Sequence, residues 1–202
     1  MKPFLRSALG LCVVFGLALA VWPFAQSAYA RWNQARLQTA WQQAAPSRKQ
    51  QTSQNANPAI PAQSKIQKPK PKIAWPDTRL VIPEIGLDAV VVQGADPASL
   101  RRGPGHYAFS VLPGQVGNCV IAGHRNVYGS YFLKLDALAP GSPIILRTRD
   151  ATFNYHVVGP VIVQDNDTSV FTPMTPGKAQ LTLITCTLPL SSERLVIFAQ
   201  LD

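Results

Sequence analysis

Three side chains with complementary chemistry lie at the ends of apolar runs. Cys186 ends a β-branched run, His124 follows a second apolar run, and Arg194 opens a third. A cysteine thiolate is a strong nucleophile, and an imidazole can carry protons to and from the reacting groups. A guanidinium stays charged at any relevant pH and presents fixed donors to a developing oxyanion. Together these residue types predict acyl transfer through a cysteine thioester.

The apolar runs themselves predict β-strands, and the end of a strand is where a side chain can leave the core and meet a substrate. Leu181–Cys186 and Cys119–His124 are both typical of buried strands. The turn residues at 188–192 predict a hairpin that folds the next strand back beside the first. Arg194, eight positions after Cys186, is therefore expected near the sulfur.

The segment from Asp77 onward has the character of a β-domain. Short apolar runs alternate with Gly, Pro, Asp and Asn turn signals, and long helical periodicity is absent. Short helical turns are predicted at Pro97–Arg101 and Tyr131–Leu138. About 125 residues with strands at this spacing favour one closed β-barrel or a sandwich. The predicted strands are Arg79–Ile82, Ala89–Val92, Asn118–Ala122, Ser142–Arg147, Thr152–Val163, Gln180–Thr185 and Leu195–Leu201.

An apolar segment precedes this domain. Lys2 and Arg6 come before an uncharged stretch whose apolar centre is Leu9–Phe24, close to the ~17–25 residues that cross a bilayer. The basic residues ahead of it predict a single-pass anchor with a cytoplasmic N-terminus and an extracytoplasmic catalytic domain. Ala28-Tyr29-Ala30 has the small-x-small form of a cleavage site, so a cleaved signal peptide is the alternative.

The positive charge of the chain is concentrated ahead of the predicted β-domain. Residues 1–76 carry ten Lys or Arg and no Asp or Glu, whereas residues 77–202 carry nine basic and ten acidic residues. The basic residues lie in a Gln/Pro/Ala-rich tract without a folded face, so anionic lipids or wall polymers are favoured over nucleic acid as partners. We predict a membrane anchor at 1–30, a basic Gln/Pro-rich linker at 31–76 whose first residues to 45 extend the helix, and a catalytic domain at 77–202.

The three cysteines have no spacing of the CxxC type, so a zinc site is not expected, and no cofactor is expected either. Cys12 lies in the apolar N-terminal segment. Two interpretations of the other pair stay open. Cys119 and Cys186 could form a disulfide in an exported protein, or Cys119 is an apolar core residue and Cys186 is free to react.

These motifs resemble those of the sortases. Thr182-Leu183-Ile184-Thr185-Cys186 matches the TLxTC signature of that family, Ala122-Gly123-His124-Arg125 is similar to its histidine segment, and Arg194 at the head of the last strand matches its arginine. The resemblance covers roughly residues 77–202 and implies an eight-stranded β-barrel with one or two short helices. It also implies a cysteine transpeptidase that cleaves an LPxTG-like sorting signal and passes the acyl group to an amine.

The resemblance assigns roles residue by residue. Cys186 is the expected nucleophile, His124 the expected acid and base, and Arg194 the expected holder of the substrate or its oxyanion. Thr185 is expected to orient the substrate or intermediate. Tyr128 is a candidate for the cleft wall, with packing on the barrel as the alternative.

Other expectations concern the surroundings of the site. Arg125 is a candidate contact for an acidic substrate group, with a surface salt bridge as the alternative. The loop Val163–Lys178 is the expected substrate wall, and its acidic pair, Asp165 and Asp167, has too few oxygens for a calcium site. The short spacer from Cys186 to Arg194 and the compact glycine-rich segments are more similar to classes D, E or F than to class A.

The expected partners are exported proteins that carry a C-terminal sorting signal, an amine from a peptidoglycan precursor or a pilin, and the membrane. Two other functions are considered. An L,D-transpeptidase would have an SxGC-type segment at the thiol, where this chain has Ile184-Thr185-Cys186. A catalytically silent anchored barrel that binds wall polymer or a partner protein is the alternative from a different class.

Overall fold

The computed structural model describes residues 3–43, 77–188 and 191–202, with side chains in the first helix described from Leu11 onward. Most of the predicted linker and the turn residues Pro189 and Leu190 lie outside the described residues. One long helix and one β-domain account for the described residues.

The N-terminal helix α1 spans Pro3–Gln43 without a break at Pro23. Its apolar segment is rich in Leu, Ala and Val, and from Leu11 to Phe24 every residue is exposed in the isolated chain. By length and hydropathy it is the one described helix that could cross a membrane. The helix continues past the apolar segment to Gln43, close to the extension that residues 31–45 predict.

Eight strands close into a barrel, which confirms the predicted architecture. The order around the barrel is β1-β2-β3-β4-β7-β8-β6-β5. A four-residue helix α2, Pro97–Leu100, follows β2, and single 3-10 turns occupy Pro83–Ile85, Leu135–Ala137 and Ser169–Phe171. The strands are β1 Thr78–Ile82, β2 Leu87–Gln93, β3 Gly105–His106, β4 Gly117–Ala122, β5 Pro143–Arg147, β6 Thr152–Gln164, β7 Ala179–Cys186 and β8 Glu193–Leu201.

Seven of these strands coincide with predicted ones, and β3 was not predicted. It has only two residues, too few to give an alternating pattern. Gly105 pairs with both Val92 of β2 and Ala122 of β4. A Cβ on Gly105 would lie 2.1 Å from the carbonyl oxygen of Gly94. The close approach of these two segments of the backbone therefore requires glycine at position 105.

The barrel interior is a continuous apolar core. Inward positions alternate with outward ones along the strands, as in β1, where Thr78, Leu80 and Ile82 are buried and the residues between them are half-buried. Cys119 on β4 is fully buried among Leu, Ile and Val side chains. The central pair of this core, β4 and β7, is parallel and carries the candidate site at its C-terminal edge.

Candidate active site

The register of β4 against β7 brings His124 and Cys186 to the same edge of the barrel. Ala122 pairs with Ile184 in the parallel ladder. His124 lies two residues after Ala122, and Cys186 lies two residues after Ile184. Neighbouring strands lie about 4.8 Å apart. The two side chains therefore leave adjacent strands at the same level, although 62 positions separate them in the sequence.

A second link joins the two strand ends. The Thr185 hydroxyl donates a hydrogen bond of 2.8 Å to the carbonyl oxygen of Gly123, and the Gly123 amide donates one of 3.0 Å to Ile184. Thr185 is buried, with 3% of its surface exposed. The structure thus gives this threonine a contact that positions the backbone next to His124, and its expected role towards substrate stays a prediction.

Gly123 itself is required by packing. A Cβ at this position would lie 2.7 Å from the ring of Phe132, which is fully buried. The Phe132 amide donates to the His124 carbonyl at 3.1 Å, so the phenylalanine segment also holds the histidine backbone. The backbone on either side of His124 is thereby fixed by Thr185 and Phe132 together.

The predicted hairpin places Arg194 directly opposite Cys186. The two residues are register partners in the antiparallel β7–β8 ladder, so their side chains share one face of the sheet. The guanidinium donates from Nη1 to the carbonyl oxygens of Ser191 at 2.7 Å and Glu193 at 2.9 Å, and Nη2 lies 3.5 Å from Asp165. These contacts hold the arginine at the edge where the cysteine emerges.

Both cysteines of the β-domain are free thiols, so the disulfide interpretation is not what the structure contains. Cys119 is fully buried, and burial in the apolar core raises the pKa of its thiol. Cys186 is partly exposed at the end of β7. The half-buried position makes Cys186 the accessible thiol of the barrel.

His124 is half-buried beside two side chains that shape its electrostatics. Its ring lies 5.4 Å from the Tyr128 ring, centroid to centroid. The guanidinium carbon of Arg101 lies 5.7 Å from the centroid of the same Tyr128 ring. Burial lowers the pKa of His124, and the positive charge of Arg101 lowers it further. Both effects disfavour the imidazolium, so the histidine releases its proton more readily than a solvated one.

The loop after His124 is unusual in its backbone. Tyr128, Gly129 and Ser130 adopt positive φ angles of 47°, 90° and 51° in succession. The left-handed region costs a residue with a side chain roughly 1 kcal/mol or more, so the surrounding contacts must fix this turn. The turn places the Tyr128 ring beside His124, and its expected role as a wall of the cleft stays a prediction.

Arg125 forms an ion pair with an acidic side chain of the same loop. Its Nη2 donates to Asp136 at 2.8 Å, which is the salt-bridge alternative predicted for it. The acidic pair of the loop after β6 is engaged as well. Asp165 pairs with Arg194, and Asp167 accepts from the Ser169 amide at 2.8 Å. Within the described ranges, no three His, Cys, Asp or Glu side chains cluster in a way that could hold a metal ion.

An apolar cavity of about 490 Å³ adjoins this edge of the barrel. Val120, Ala122 and Ile184 line it from β4 and β7, and Cys186 is the next residue on the Ile184 face. Aromatic rings line it as well. Tyr107 stacks on Phe171 at 4.6 Å and contacts Phe109 at 5.6 Å, centroid to centroid.

The loop between β6 and β7 is fastened to the barrel beside this cavity. The side-chain Nδ2 of Asn118 donates to the Val170 carbonyl at 2.9 Å, and the Thr182 hydroxyl donates to the side-chain Oδ1 of Asn118 at 2.8 Å. Both bonds are buried. They present Phe171 to the cavity, where the sequence placed the substrate wall.

Some residues around the site were not identified from sequence. Arg101, Tyr107, Phe109 and Phe171 lie in short segments without periodicity, and each could equally be a surface residue. Arg101 comes close to His124 only because α2 ends beside the loop that carries Tyr128. The glycines of Gly103-Pro104-Gly105-His106 are a local signal of a tight connection in this region.

The chain is similar to known proteins in both sequence and fold. A family model described as the sortase domain matches residues 80–202. Sortase D of Bacillus subtilis (strain 168) is 33% identical over 117 residues, which are 58% of this chain and 57% of that protein. Sortase SrtE1 of Streptomyces coelicolor is 30% identical over 138 residues, which are 60% of this chain and 39% of that protein.

A solved structure of the Clostridium perfringens sortase D5 transpeptidase has a TM-score of 0.58 at 28% identity and covers 63% of this chain and 79% of its own. The chain thus matches between two fifths and three fifths of the length of these curated relatives. The family model covers more than half of the chain, and the closed barrel is that of the sortase structures. The chain belongs to the sortase family of cysteine transpeptidases.

Proposed function

We propose that this chain is a membrane-anchored transpeptidase that cleaves an LPxTG-like sorting signal and joins it to an amine. One observation carries the proposal. The accessible thiol of Cys186 and the imidazole of His124 leave adjacent parallel strands at one edge, with Arg194 opposite the thiol. Nucleophile, proton carrier and fixed cation are the three groups that acyl transfer by a cysteine needs.

The proposed reaction has two halves. The Cys186 thiolate attacks the threonyl carbonyl of the signal, and Arg194 stabilises the oxyanion of the tetrahedral intermediate. The C–N bond breaks as His124 protonates the leaving amine, and a thioester remains. An incoming amine then gives its proton to His124 and attacks the thioester, so that a new amide forms and the thiolate is released.

The apolar cavity supports the signal class. Val120, Ala122 and Ile184 line one side of it, and Ile184 lies two residues before Cys186 on the same strand face; its other side is aromatic. An extended peptide with apolar residues ahead of the scissile threonine fits such a surface better than a charged one. Relatives named sortase D and sortase E1 favour the class D or E assignment for this chain.

The proposed partners follow from the reaction. They are exported proteins with a C-terminal sorting signal and an amine of a peptidoglycan precursor or a pilin. The apolar part of α1 supports a single-pass anchor, and the basic residues ahead of it support an N-terminus in the cytoplasm.

The test uses the full chain in lipid nanodiscs, with a library of LPxTG-like peptides and a set of amines, and reads products by mass. We expect cleavage after threonine and a new amide with the preferred amine. The Cys186→Ala variant, whose fold is checked by circular dichroism, should give neither product. Cleavage that persists in this variant, or no product from any peptide with the native chain, contradicts the proposal.

The anchor has its own test, because the chain carries one native thiol, Cys12, within the predicted membrane segment and another, Cys186, in the catalytic domain. In intact cells, a membrane-impermeant maleimide should label Cys186 and leave Cys12 unlabelled, and the intact mass should retain residues 1–30. A mass that begins after Ala30 would instead establish a cleaved signal peptide. Labelling of Cys186 only after lysis contradicts the extracytoplasmic location.

A further inference from the structure

Strand β2 has a partly open edge. It pairs with β1 along Leu87–Val91, but on its other side β3 reaches only Val92 and Gln93. Alternate residues of a strand direct their backbone groups to the same side. The Val92 amide donates to the Pro104 carbonyl on the β3 side, so the backbone groups of Asp88 and Val90 face the same side, where no strand among the described residues pairs with them.

Helix α1 fills this edge with glutamine side chains. The Gln34 carboxamide donates to the Val90 carbonyl and accepts from the Val90 amide, both at 2.9 Å, as a neighbouring strand would. Gln38, one turn later, donates to the Asp88 carbonyl at 3.4 Å. Gln34 is 5% exposed and also donates to the Arg102 carbonyl at 3.1 Å. An amide buried with this many partners belongs to a built contact.

Further contacts extend along the same face of the helix. The Tyr131 hydroxyl donates to the carbonyl of Ala30, which is fully buried. At the other end, the guanidinium carbons of Arg149 and Arg79 lie 4.9 Å and 5.5 Å from the Trp41 ring. Positions 30, 34, 38 and 41 recur at intervals of three and four residues, which is one helix face. The docked segment, Ala30–Trp41, therefore contacts the barrel over about three turns.

This contact adjoins the histidine side of the site. Tyr131, which contacts Ala30, belongs to the loop that starts at His124. Arg102, whose carbonyl accepts from Gln34, is the next residue after Arg101, and the charge of Arg101 acts on His124. Ala30 lies six residues after Phe24, where the apolar segment ends. At 1.5 Å per residue this places the Tyr131 contact about 9 Å along the helix from that end.

We propose that the docked segment Ala30–Trp41 is a structural part of the catalytic barrel, where it completes the open edge of β2 and holds the His124 loop at a fixed, short distance from the membrane surface. The inference rests on the proposed anchoring by α1, but not on the proposed chemistry. Gln34 acts here as a positioning residue. Through it, the helix of the anchor is packed rigidly against β2 and the His124 loop of the catalytic domain.

The first test measures hydrogen exchange of the full chain in phosphatidylethanolamine/phosphatidylglycerol nanodiscs. Gln34→Ala should accelerate exchange of the Val90 amide by at least about tenfold, because that amide loses its acceptor. Gln42→Ala is the matched control, since Gln42 is an exposed glutamine on the same helix. Exchange in β7 reports whether the barrel stays folded, and Gln38→Ala is a milder second variant. Equal Val90 exchange in native, Gln34→Ala and Gln42→Ala chains overturns the docking.

The second test needs no destabilising change. Leu133 is 48% exposed and lies two residues after Tyr131, so a Leu133→Cys variant can carry a thiol-linked fluorophore. Cys12→Ala and Cys186→Ala remove the other accessible thiols. We expect strong quenching by a lipid headgroup quencher. A seven-residue Gln/Ala helical spacer after Gln26 adds about 10 Å and should abolish most of it. Weak quenching without the spacer, or equal quenching with it, overturns the proposal. Neither readout uses catalysis, so a failure here is distinct from a failure of the transpeptidase assignment.

Discussion

Replacement of Thr185 by valine tests how the two strand ends are held together. Valine has nearly the shape of threonine but lacks the hydroxyl, and the hydroxyl is the donor to the Gly123 carbonyl at 2.8 Å. The position is 3% exposed, so water cannot readily replace the lost donor. The change therefore removes one hydrogen bond and leaves a buried acceptor unsatisfied.

The expected magnitude follows from that loss. An orphaned buried acceptor costs about 1–3 kcal/mol, which for a domain of this size lowers Tm by roughly 3–10 °C. Activity should fall further than stability, because Gly123 precedes His124. A displacement of about 1 Å between the imidazole and Cys186 is enough for a roughly hundredfold loss of kcat/KM.

The assay pairs a thermal melt with peptide cleavage by Thr185→Val and Thr185→Ser. Serine keeps the hydroxyl and should retain most of the stability and most of the activity. A threonine that acted only by contact with substrate would give a different result. The valine variant would then keep its Tm and show a raised KM, and that outcome refutes the positioning role derived from the structure.

The remaining predictions concern the two arginines near the site, Arg194 and Arg101, and the buried thiol of Cys119. Arg194→Lys should lower kcat/KM by about 10²–10³-fold, because one ammonium cannot reproduce the guanidinium fork; near-native activity would contradict its oxyanion role. Arg101→Gln removes a charge that lowers the pKa of His124, so that pKa rises and the high-pH limb of activity, where the imidazolium proton is lost, moves to higher pH. Arg102→Gln is the neighbouring control, and an unshifted limb in the Arg101 variant would contradict the assignment. Cys119→Ser should cost about 1–3 kcal/mol of unfolding free energy for a hydroxyl buried in the core, yet cleave peptide at near-native rate when folded; loss of activity without unfolding would give that sulfur a catalytic part.

The parts of the fold that could be predicted are those that local pattern determines. Strands such as β6 and β7 are long enough for alternation or a continuous apolar run to identify them, and the hairpin that carries Arg194 follows from turn residues. The closed barrel followed from the resemblance and was confirmed. In contrast, β3 exists because Gly105 lets two chain segments approach closely, and two residues carry no pattern of their own.

Contacts between distant segments could not be predicted in the same way. Gln34 is an ordinary polar residue in a polar part of the helix, and nothing in its neighbourhood indicates that it completes a strand edge. Arg101 approaches His124 only through the folded position of α2. Thr185 was singled out by its place beside the cysteine, but its buried bond to Gly123 depends on the parallel pairing of β4 with β7, which the sequence does not specify.

Covalent trapping tests most directly whether Cys186 is the nucleophile. A sorting-signal peptide with a vinyl sulfone in place of the scissile carbonyl is incubated with the full chain in nanodiscs, and the modified residue is located by tandem mass spectrometry. We predict one adduct, on Cys186, that forms much more slowly in His124→Ala. A folded chain that gives no adduct, or an adduct on Cys12 or Cys119 instead, would contradict the account.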